Sequence, residues 1–294
     1  ADRAVTGLSA ASGRLPSMLA LARGKDLALA NKETIGMAGP HIRSLAASKG
    51  CKILPVDSEH SAIFSLIEAH GSESIAEIIL TASGGPFRTY DTKKLSTVTA
   101  SDALKHPTWS MGAKITIDSA SLANKGLEVI EAVRLFDISP EHVKVVVHPQ
   151  SLVHSFIRTR DGVLYAQISK PDMRHPIHSA LTWPKCVENT LERLSFEELC
   201  TMNFEPPRYA DFPLLGLAYR AAGLSGSYTI AFNAANEEAV AAFVAGHIRF
   251  PELAEVTARV LDGDWSKEPA TFGDVFDSDA QARRAAKKTI EELS

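Results

Sequence analysis

The sequence is poor in the features that mark several whole classes of protein. Only three of its 294 residues are cysteine: Cys51, Cys186 and Cys200. Their odd number and irregular spacing exclude a disulfide scaffold or a cysteine-based metal knot, and they read as reduced, buried thiols of a cytosolic protein. No apolar run approaches the ~18 residues that a membrane span needs. The opening residues, with Asp2 and Arg3, lack the uninterrupted apolar stretch of a secretory signal. Basic blocks are missing too: 31 Lys and Arg against 35 Asp and Glu leave a net charge of -4. That excludes the electrostatic footprint of a nucleic-acid partner. There is no internal repeat and no low-complexity stretch. No G-x-G-x-x-G turn follows any strand, since Gly7 and Gly13 are too far apart to form one.

What is present is the composition of an ordinary soluble enzyme, 45% hydrophobic and 22% charged, on a chain long enough for about two domains. Residues 1–56 alternate helix and strand. Leu15 to Ala22 is apolar at helical spacing, with Pro16 at its start and Gly24 at its stop, and Leu27 to Ala30 and Lys52 to Val56 read as strands. Such alternation implies a parallel α/β sheet. Because the sheet does not open on a strand and a phosphate-binding turn, this segment reads as the back half of a domain. Residues 57–190 hold further strands (Ile75 to Leu80, Val143 to Val147, Val163 to Ile168), two helices, and a long polar loop over 84–114. A loop of that length inside a compact domain is usually functional or disordered. Residues 191–210, with Pro206-Pro207, read as a linker, and 211–294 as an Ala-rich helical domain. Its last helix is expected to be capped at Asp277 or Ser278, with Lys287 and Lys288 toward its negative end.

Five clusters carry chemistry. Asp57 and Glu59 follow an apolar strand, and alternate residues of an extended chain point to one side, so the two carboxylates can converge at the ligand edge of a parallel sheet. The competing reading makes Asp57 or Ser58 the cap of the following helix. Asn124, Lys125 and Glu128 share one helix face, offering either a carboxylate to a metal with an amide and ammonium to an anion, or a solvated ion pair. An oxygen-only acid set of Asp57, Glu59 and a third carboxylate favours Mg2+ or Mn2+ over Zn2+. Ser83-Gly84-Gly85 can turn backbone N–H groups and a hydroxyl toward an anion, or be a plain tight turn. His106, Trp109 and Met111 lie in the long loop, as a lid over a substrate or as its anchor to the core. Asn31-Lys32-Glu33 sits at the end of a strand, where the lysine can bind a phosphate or polarise a carbonyl, or simply begin a helix. His148 and His154, six apart, are poorly spaced for a metal and read as core histidines or as histidines that support a site from behind.

The ordered series resembles a known family. Ala30-Asn-Lys-Glu33, Pro55-Val-Asp-Ser-Glu-His-Ser-Ala-Ile-Phe64, Ser83-Gly-Gly-Pro-Phe87, His106-Pro-Thr-Trp-Ser-Met-Gly112, Asp118-Ser with Asn124-Lys-Gly-Leu-Glu128, His148-Pro-Gln-Ser151, Pro171-Asp-Met-Arg174 and Asn233-Ala-Ala-Asn-Glu237 together resemble the 1-deoxy-D-xylulose 5-phosphate reductoisomerases. The resemblance implies an NADPH-dependent oxidoreductase of the non-mevalonate isoprenoid pathway, which isomerises and reduces that phosphosugar to 2-C-methyl-D-erythritol 4-phosphate. It implies an α/β chain made of part of a Rossmann-like NADPH domain (1–56), an α+β catalytic and dimerisation domain (57–190) and a C-terminal helical domain (211–294). By the same resemblance, Asp57, Glu59 and Glu128 hold Mg2+ or Mn2+, and with Lys32 and His106 they form the catalytic set. Ser83, Ser119, Asn124 and Lys125, helped by His106, bind the substrate phosphate. Lys32, Ser58, Glu59 and Glu128 meet the substrate's oxygen functions, and Trp109 and Met111 close over it. Asn31, Glu33 and Gly112 touch NADPH. A cytoplasmic homodimer is implied, formed through the sheet of the middle domain. The family's opening Rossmann half, with its Gly-rich turn, is not found here. On that expectation the chain is a catalytic half lacking the NADPH pyrophosphate and adenosine contacts, with an exposed sheet edge. A non-catalytic metal- and phosphate-binding remnant is the alternative, and the complete acid set with Lys32 and His106 argues against it. A dehydrogenase without the isomerase step would need no divalent metal.

Overall fold

The structure, a computed structural model, describes residues 2–8, 13–105, 111–197 and 199–294. Along the chain run β1 (Arg3–Thr6), α1 (Arg14–Ala22), β2 (Asp26–Leu29), α2 (Lys32–Lys49), β3 (Ile53–Pro55), α3 (Ser58–His70) and β4 (Ile75–Ala82). Then come α4 (Thr92–Leu95), α5 (Ala100–Ala103), α6 (Ala113–Ala120), α7 (Ala123–Phe136), β5 (Val143–Val147), β6 (Val153–Thr159), β7 (Leu164–Ile168) and α8 (Arg174–Thr182). Four helices follow: α9 (Pro213–Gly223), α10 (Tyr228–Val244), α11 (Glu252–Leu261) and α12 (Phe272–Leu293). This is the mixed α/β class read from the sequence, and no helix among the described residues is long and apolar enough to cross a membrane.

Two compact units divide the chain. The first comprises Ala1–Ile35, Gly39–Ser83 and Leu135–Pro206. It holds both sheets. One is wholly parallel, ordered β1-β2-β3, with Arg3 opposite Asp26 and Leu27 opposite Ile53. Its central strand reads Asp26-Leu-Ala-Leu29, and Leu27, Ala28 and Leu29 are all buried, as a strand covered on both faces must be. Pro55 is tolerated because β3 lies at an edge of this sheet. The other sheet is mixed, ordered β5-β4-β6-β7, with β4 parallel to β5 and antiparallel to β6. The β6–β7 hairpin turns at Gly162, at φ +89°. Arg3 closes the C-terminal end of α8, its guanidinium donating to the carbonyls of Ala180 (2.7 Å), Leu181 (2.8 Å) and Trp183 (2.9 Å). A cation on these last carbonyls is where the helix dipole favours one.

The strands β1 and β6 were not anticipated from the sequence. β1 is only four residues long, with Val5 54% exposed, so it carries no apolar signal. β6 buries His154 and Ser155 beside Val153 and Ile157, and these polar residues erase the period-two pattern.

The second unit comprises Gly36–Ala38, Gly84–Arg134 and Pro207–Ser294, and is helical. At its centre is α10, buried on nearly all sides from Thr229 to Asn236. Arg283 of α12 joins Glu237 (2.5 Å) and Glu238 (3.1 Å) of α10 to Asp279 (3.0 Å) of its own helix. The start of α12 corrects the sequence reading. Its cap is Thr271, which forms a capping box with Asp274, so Asp277 and Ser278 lie inside the helix. The Thr-x-x-Asp pair wins because it satisfies two backbone donors reciprocally, whereas a lone Asp or Ser satisfies one.

The helices α7 and α9 approach closely at Gly126, where an added Cβ would stand 2.6 Å from the Ala218 Cβ. Gly126→Ala is therefore expected to destabilise the protein by about 1–3 kcal/mol in urea unfolding. The double variant with Ala218→Gly is expected to regain most of that loss. An unchanged midpoint in the single variant would refute the close packing.

Candidate active site

In the first unit, candidate functional side chains gather where the parallel strands end. β2 and β3 pair with Leu29 opposite Pro55, so the residues that follow them emerge side by side. This is the C-terminal edge at which α/β sheets bind ligands. After β2, Asn31 caps α2: its Oδ1 accepts from the Thr34 amide at 2.9 Å, while its Nδ2 donates to the Leu8 carbonyl (2.7 Å) and to Glu33 (3.0 Å). Lys32, only 7% exposed, places Nζ 2.7 Å from Asp57 Oδ2. Its helix bends at Ala38, where φ is -124°, two residues before Pro40, which removes a backbone donor.

After β3, the extended chain ends at Pro55, and α3 begins at Ser58. The strand alternation expected for Asp57 and Glu59 is thus replaced by the first turn of a helix. Asp57 stands at the cap position, yet its carboxylate makes no cap bond. Its two oxygens are taken by Lys32 and by His60 Nδ1, which donates to Oδ1 at 3.0 Å. His60 is fully buried and stacks on Phe136 at 6.0 Å between ring centres. Ser58 Oγ donates to Glu59 Oε2 at 2.6 Å. Ser83 follows directly on β4 and is half-buried. The two histidines read as core residues are core residues. His148 Nδ1 donates to the Asn203 carbonyl at 2.9 Å and its Nε2 accepts from the Leu152 amide at 3.1 Å, while His154 Nε2 meets Ser169 Oγ at 3.0 Å.

In the second unit, α6 and α7 are joined by a turn at Leu122, whose φ is +60°. The predicted face of α7 forms as read. Asn124 Nδ2 donates to Glu128 Oε1 at 2.6 Å, and Lys125 Nζ is paired with Glu128 Oε2. Glu128 is 1% exposed and Lys125 3%, so this is no solvated surface pair. Ser119 lies in the last turn of α6. The glycine turn packs against it: at Gly85, φ +66°, an added Cβ would stand 2.7 Å from the Ser119 carbonyl oxygen. Gly112 caps α6 and is exposed, with half-buried Met111 before it. His106 and Trp109 lie outside the described residues.

Three family descriptions match the chain. Residues 1–39 match 1-deoxy-D-xylulose 5-phosphate reductoisomerase, 53–136 that enzyme's C-terminal domain, and 168–285 the DXP reductoisomerase C-terminal domain. The chain is 52% identical over 286 residues to the 1-deoxy-D-xylulose 5-phosphate reductoisomerase of Treponema denticola, which covers 97% of this chain and 75% of that protein. The chain belongs to the 1-deoxy-D-xylulose 5-phosphate reductoisomerase family. Two solved reductoisomerases agree. That of Zymomonas mobilis in complex with NADPH superposes with a TM-score of 0.94 at 42% identity, over 100% of this chain and 76% of that one. One in complex with NADPH, fosmidomycin and magnesium gives 0.91 at 36% identity, over 99% and 76%.

Several residues of this reductoisomerase-family chain emerge only from the geometry. His60 stands in the motif but carries no reading of its own; the i, i+3 spacing from Asp57 is the signal for its orienting bond. Asp118 stands in the motif without an assigned role, and it is 1% exposed with Lys114 Nζ at 2.7 Å. In the Pro171-Asp-Met-Arg174 motif, Asp172 binds its neighbour Arg174 through the backbone amide (2.9 Å) and the guanidinium (2.5 Å). These bonds hold the Asp172 carboxyl down at about 2, from an ordinary 3.8.

Two outcomes follow from these contacts. Lys125→Met strands a buried carboxylate and is expected to cost about 3 kcal/mol in urea unfolding, while Lys125→Met combined with Glu128→Gln recovers most of it. Equal losses in the two variants would show that the pair does not restrain Glu128. For Asp172, the depressed value means that its contact with Arg174 persists above the ordinary carboxylate range and is lost as pH falls through about 2. Carboxyl NMR titration is expected to place its midpoint there, returning toward 3.8 in Arg174→Ala. A native midpoint near 3.8 would contradict the bidentate contact.

Proposed function

We propose that this chain carries the metal, substrate and phosphate groups of a reductoisomerase that converts 1-deoxy-D-xylulose 5-phosphate to 2-C-methyl-D-erythritol 4-phosphate with NADPH and Mg2+ or Mn2+. The observation that carries the reading is the Asp57 carboxylate, set at the ligand edge of the parallel sheet and gripped by Lys32 and His60, in a chain of this family. We assign Asp57, Glu59 and Glu128 as the metal ligands. The donor chemistry fits: all three are carboxylates, as a hard divalent cation requires, with no thiolate or free imidazole among them. Asp57 accepts from Lys32 and His60, and Glu128 from Asn124 and Lys125, so protein donors fix the orientation of both carboxylates. When bound, the cation supplies Lewis-acid polarisation of adjacent substrate oxygens while a carbon–carbon bond breaks and re-forms.

The residues of the chain do the rest. His60 Nδ1–H fixes the orientation of Asp57, as a histidine–carboxylate pair does beside a metal. Lys32 Nζ donates to the substrate's oxygen functions from its place against Asp57, and Ser58 Oγ adds a second donor. Ser83, Ser119, Asn124 and Lys125, with His106, hold the phosphate, so that binding energy remote from the reacting carbons orients them. Trp109 and Met111 cover the substrate and exclude water from the aldehyde that rearrangement leaves. Asn31, Glu33 and Gly112 face NADPH, which supplies the hydride; at Gly112 an added Cβ would meet nothing within 4 Å, leaving room for a cofactor. We assign the β1-β2-β3 sheet to a Rossmann-like domain and the protein to the cytoplasm. We also assign a homodimer through the β5-β4-β6-β7 sheet, supported by the exposed apolar residues Val163, Leu164 and Ile168 along its β7 edge. The net charge of -4 and the lack of a basic block argue against nucleic acid, and no membrane association is proposed.

The test is substrate-dependent NADPH oxidation by the protein that carries this chain, with and without added Mg2+ or Mn2+. Asp57→Asn and Glu128→Gln are each expected to lower the rate about a thousandfold or more, the scale of several kcal/mol of cation stabilisation. Both are also expected to weaken Mn2+ binding measured by calorimetry. Full turnover in the presence of a chelator, or unchanged Mn2+ affinity in both variants, would overturn the assignment.

A further inference from the structure

We infer that Asn236 is a positioning residue for the phosphate side of the reaction, acting through Asp118. Asn236 lies on α10 and is fully buried, and its Nδ2 donates to Asp118 Oδ1 at 2.8 Å. The other Asp118 oxygen is 2.7 Å from Nζ of Lys114, one turn earlier on α6. A carboxylate 1% exposed is thereby met by one buried amide and one ammonium. The Asn236 Oδ1 has no hydrogen-bond partner among the described residues. An amide kept only to fill a core would satisfy both of its ends, since an orphaned buried oxygen costs about 1–3 kcal/mol. Here that cost is accepted so that the NH2 group points at Asp118.

What that contact fixes is the last turn of α6. Consecutive helical residues are rotated by about 100°, so locking Asp118 against α10 sets the direction of Ser119, the next residue. The backbone of Ser119 is blocked as well, by the Gly85 turn against its carbonyl. The last turn of α6 is thus held on one side by the Asn236 amide and on another by the Gly85 turn. Without the Asn236 amide, the Asp118 carboxylate loses one of its donors and is free to turn, carrying Ser119 Oγ with it. A displacement of about 1 Å at a substrate-holding group costs up to a hundredfold in rate. This inference rests on the proposed assignment of Ser119 to the phosphate, and the experiment separates the two.

Steady-state kinetics are measured for Asn236→Ala, Ser119→Ala and the exchange variant Asp118→Asn/Asn236→Asp, with folding of each checked by circular dichroism. Asn236→Ala is expected to raise KM for the phosphosugar about tenfold, with kcat changed less than about threefold and KM for NADPH unchanged, the pattern of lost substrate binding. The exchange variant keeps one carboxylate and one amide at the contact, and is expected to return KM to within about threefold of the parent. A raised KM in Ser119→Ala beside an unchanged KM in Asn236→Ala overturns the positioning role alone. Unchanged values in both overturn the phosphate assignment beneath it. A proportional fall in kcat for all substrates, not relieved by the exchange, would mark Asn236 as merely structural. If Asn236→Ala does not fold, Asn236→Ser is read by the same criteria.

Discussion

A carboxylate taken out of water costs several kcal/mol unless donors meet it, and the candidate site residues of this chain are organised around carboxylates treated in that way. Asp57, with its side chain 11% exposed, is met by Lys32 and His60. Glu128 is met by Lys125 and Asn124, and Asp118 by Lys114 and Asn236. In each case one partner is cationic or imidazole and the other is local in sequence or reaches in from a packed element. The donors come from helix turns at i, i+3 and i, i+4 spacing wherever possible, because those positions already share a face. Where a helix cannot supply one, a neighbouring element does, as Lys32 does for Asp57 and Asn236 for Asp118.

The surrounding architecture answers to that demand. The strands β2 and β3 are only 4 and 3 residues long, and the residues just beyond them are tied by side chains. The Asn31 amide accepts from Thr34 and donates to Glu33 at the start of α2, and ties that start to the Leu8 carbonyl, with Lys32 at the first helical position. In the helical unit, α10 is buried nearly all round, and a helix of that kind normally carries no polar side chain inward. Asn233 and Asn236 are exceptions, and both aim an NH2 at a polar partner: Glu237 at 3.1 Å and Asp118 at 2.8 Å. Arg283 then gathers the acids that α10 turns outward, and the guanidinium is held well above its ordinary value by Asp279 and Glu237 against the opposing cost of its burial.

Much of the fold was legible where one physical rule acted alone. Val143 to Val147 is valine at every position but Lys144, and the strand has those bounds. The helix after Gly13 stops where Gly24 allows a left-handed turn. Legibility failed where two rules competed. β6 is a buried strand with a histidine and a serine facing inward, so its hydrophobic alternation is broken by polar side chains. His154 finds its partner in Ser169, while the Ser155 hydroxyl has none among the described residues. The start of α12 carries both a capping box at Thr271 and conventional caps at Asp277 and Ser278, and only the reciprocal hydrogen bonds decide between them.

The site divides along the same line. Residues proposed to touch ligands could be singled out as candidates because a hard cation wants oxygen donors and a phosphate wants hydroxyls, amides and an ammonium. Type and spacing left a capping, turn or ion-pair alternative open for Asp57, Glu59, Ser83, Asn124, Lys125 and Glu128, and the roles came from the resemblance of the ordered motifs. The residues that hold them in place have many solutions. Any buried donor of the right length satisfies a carboxylate, and nothing in Asn236 distinguishes it in the sequence from the Asn three residues before it. Only the register of α10 against α6 makes one of them the partner of Asp118 and leaves the other to Glu237. A substitution at such a position alters no recognisable motif, yet it removes the constraint that makes the neighbouring motif function. Support residues of this kind are therefore found by asking which buried charge would be stranded, rather than by asking which residue could react.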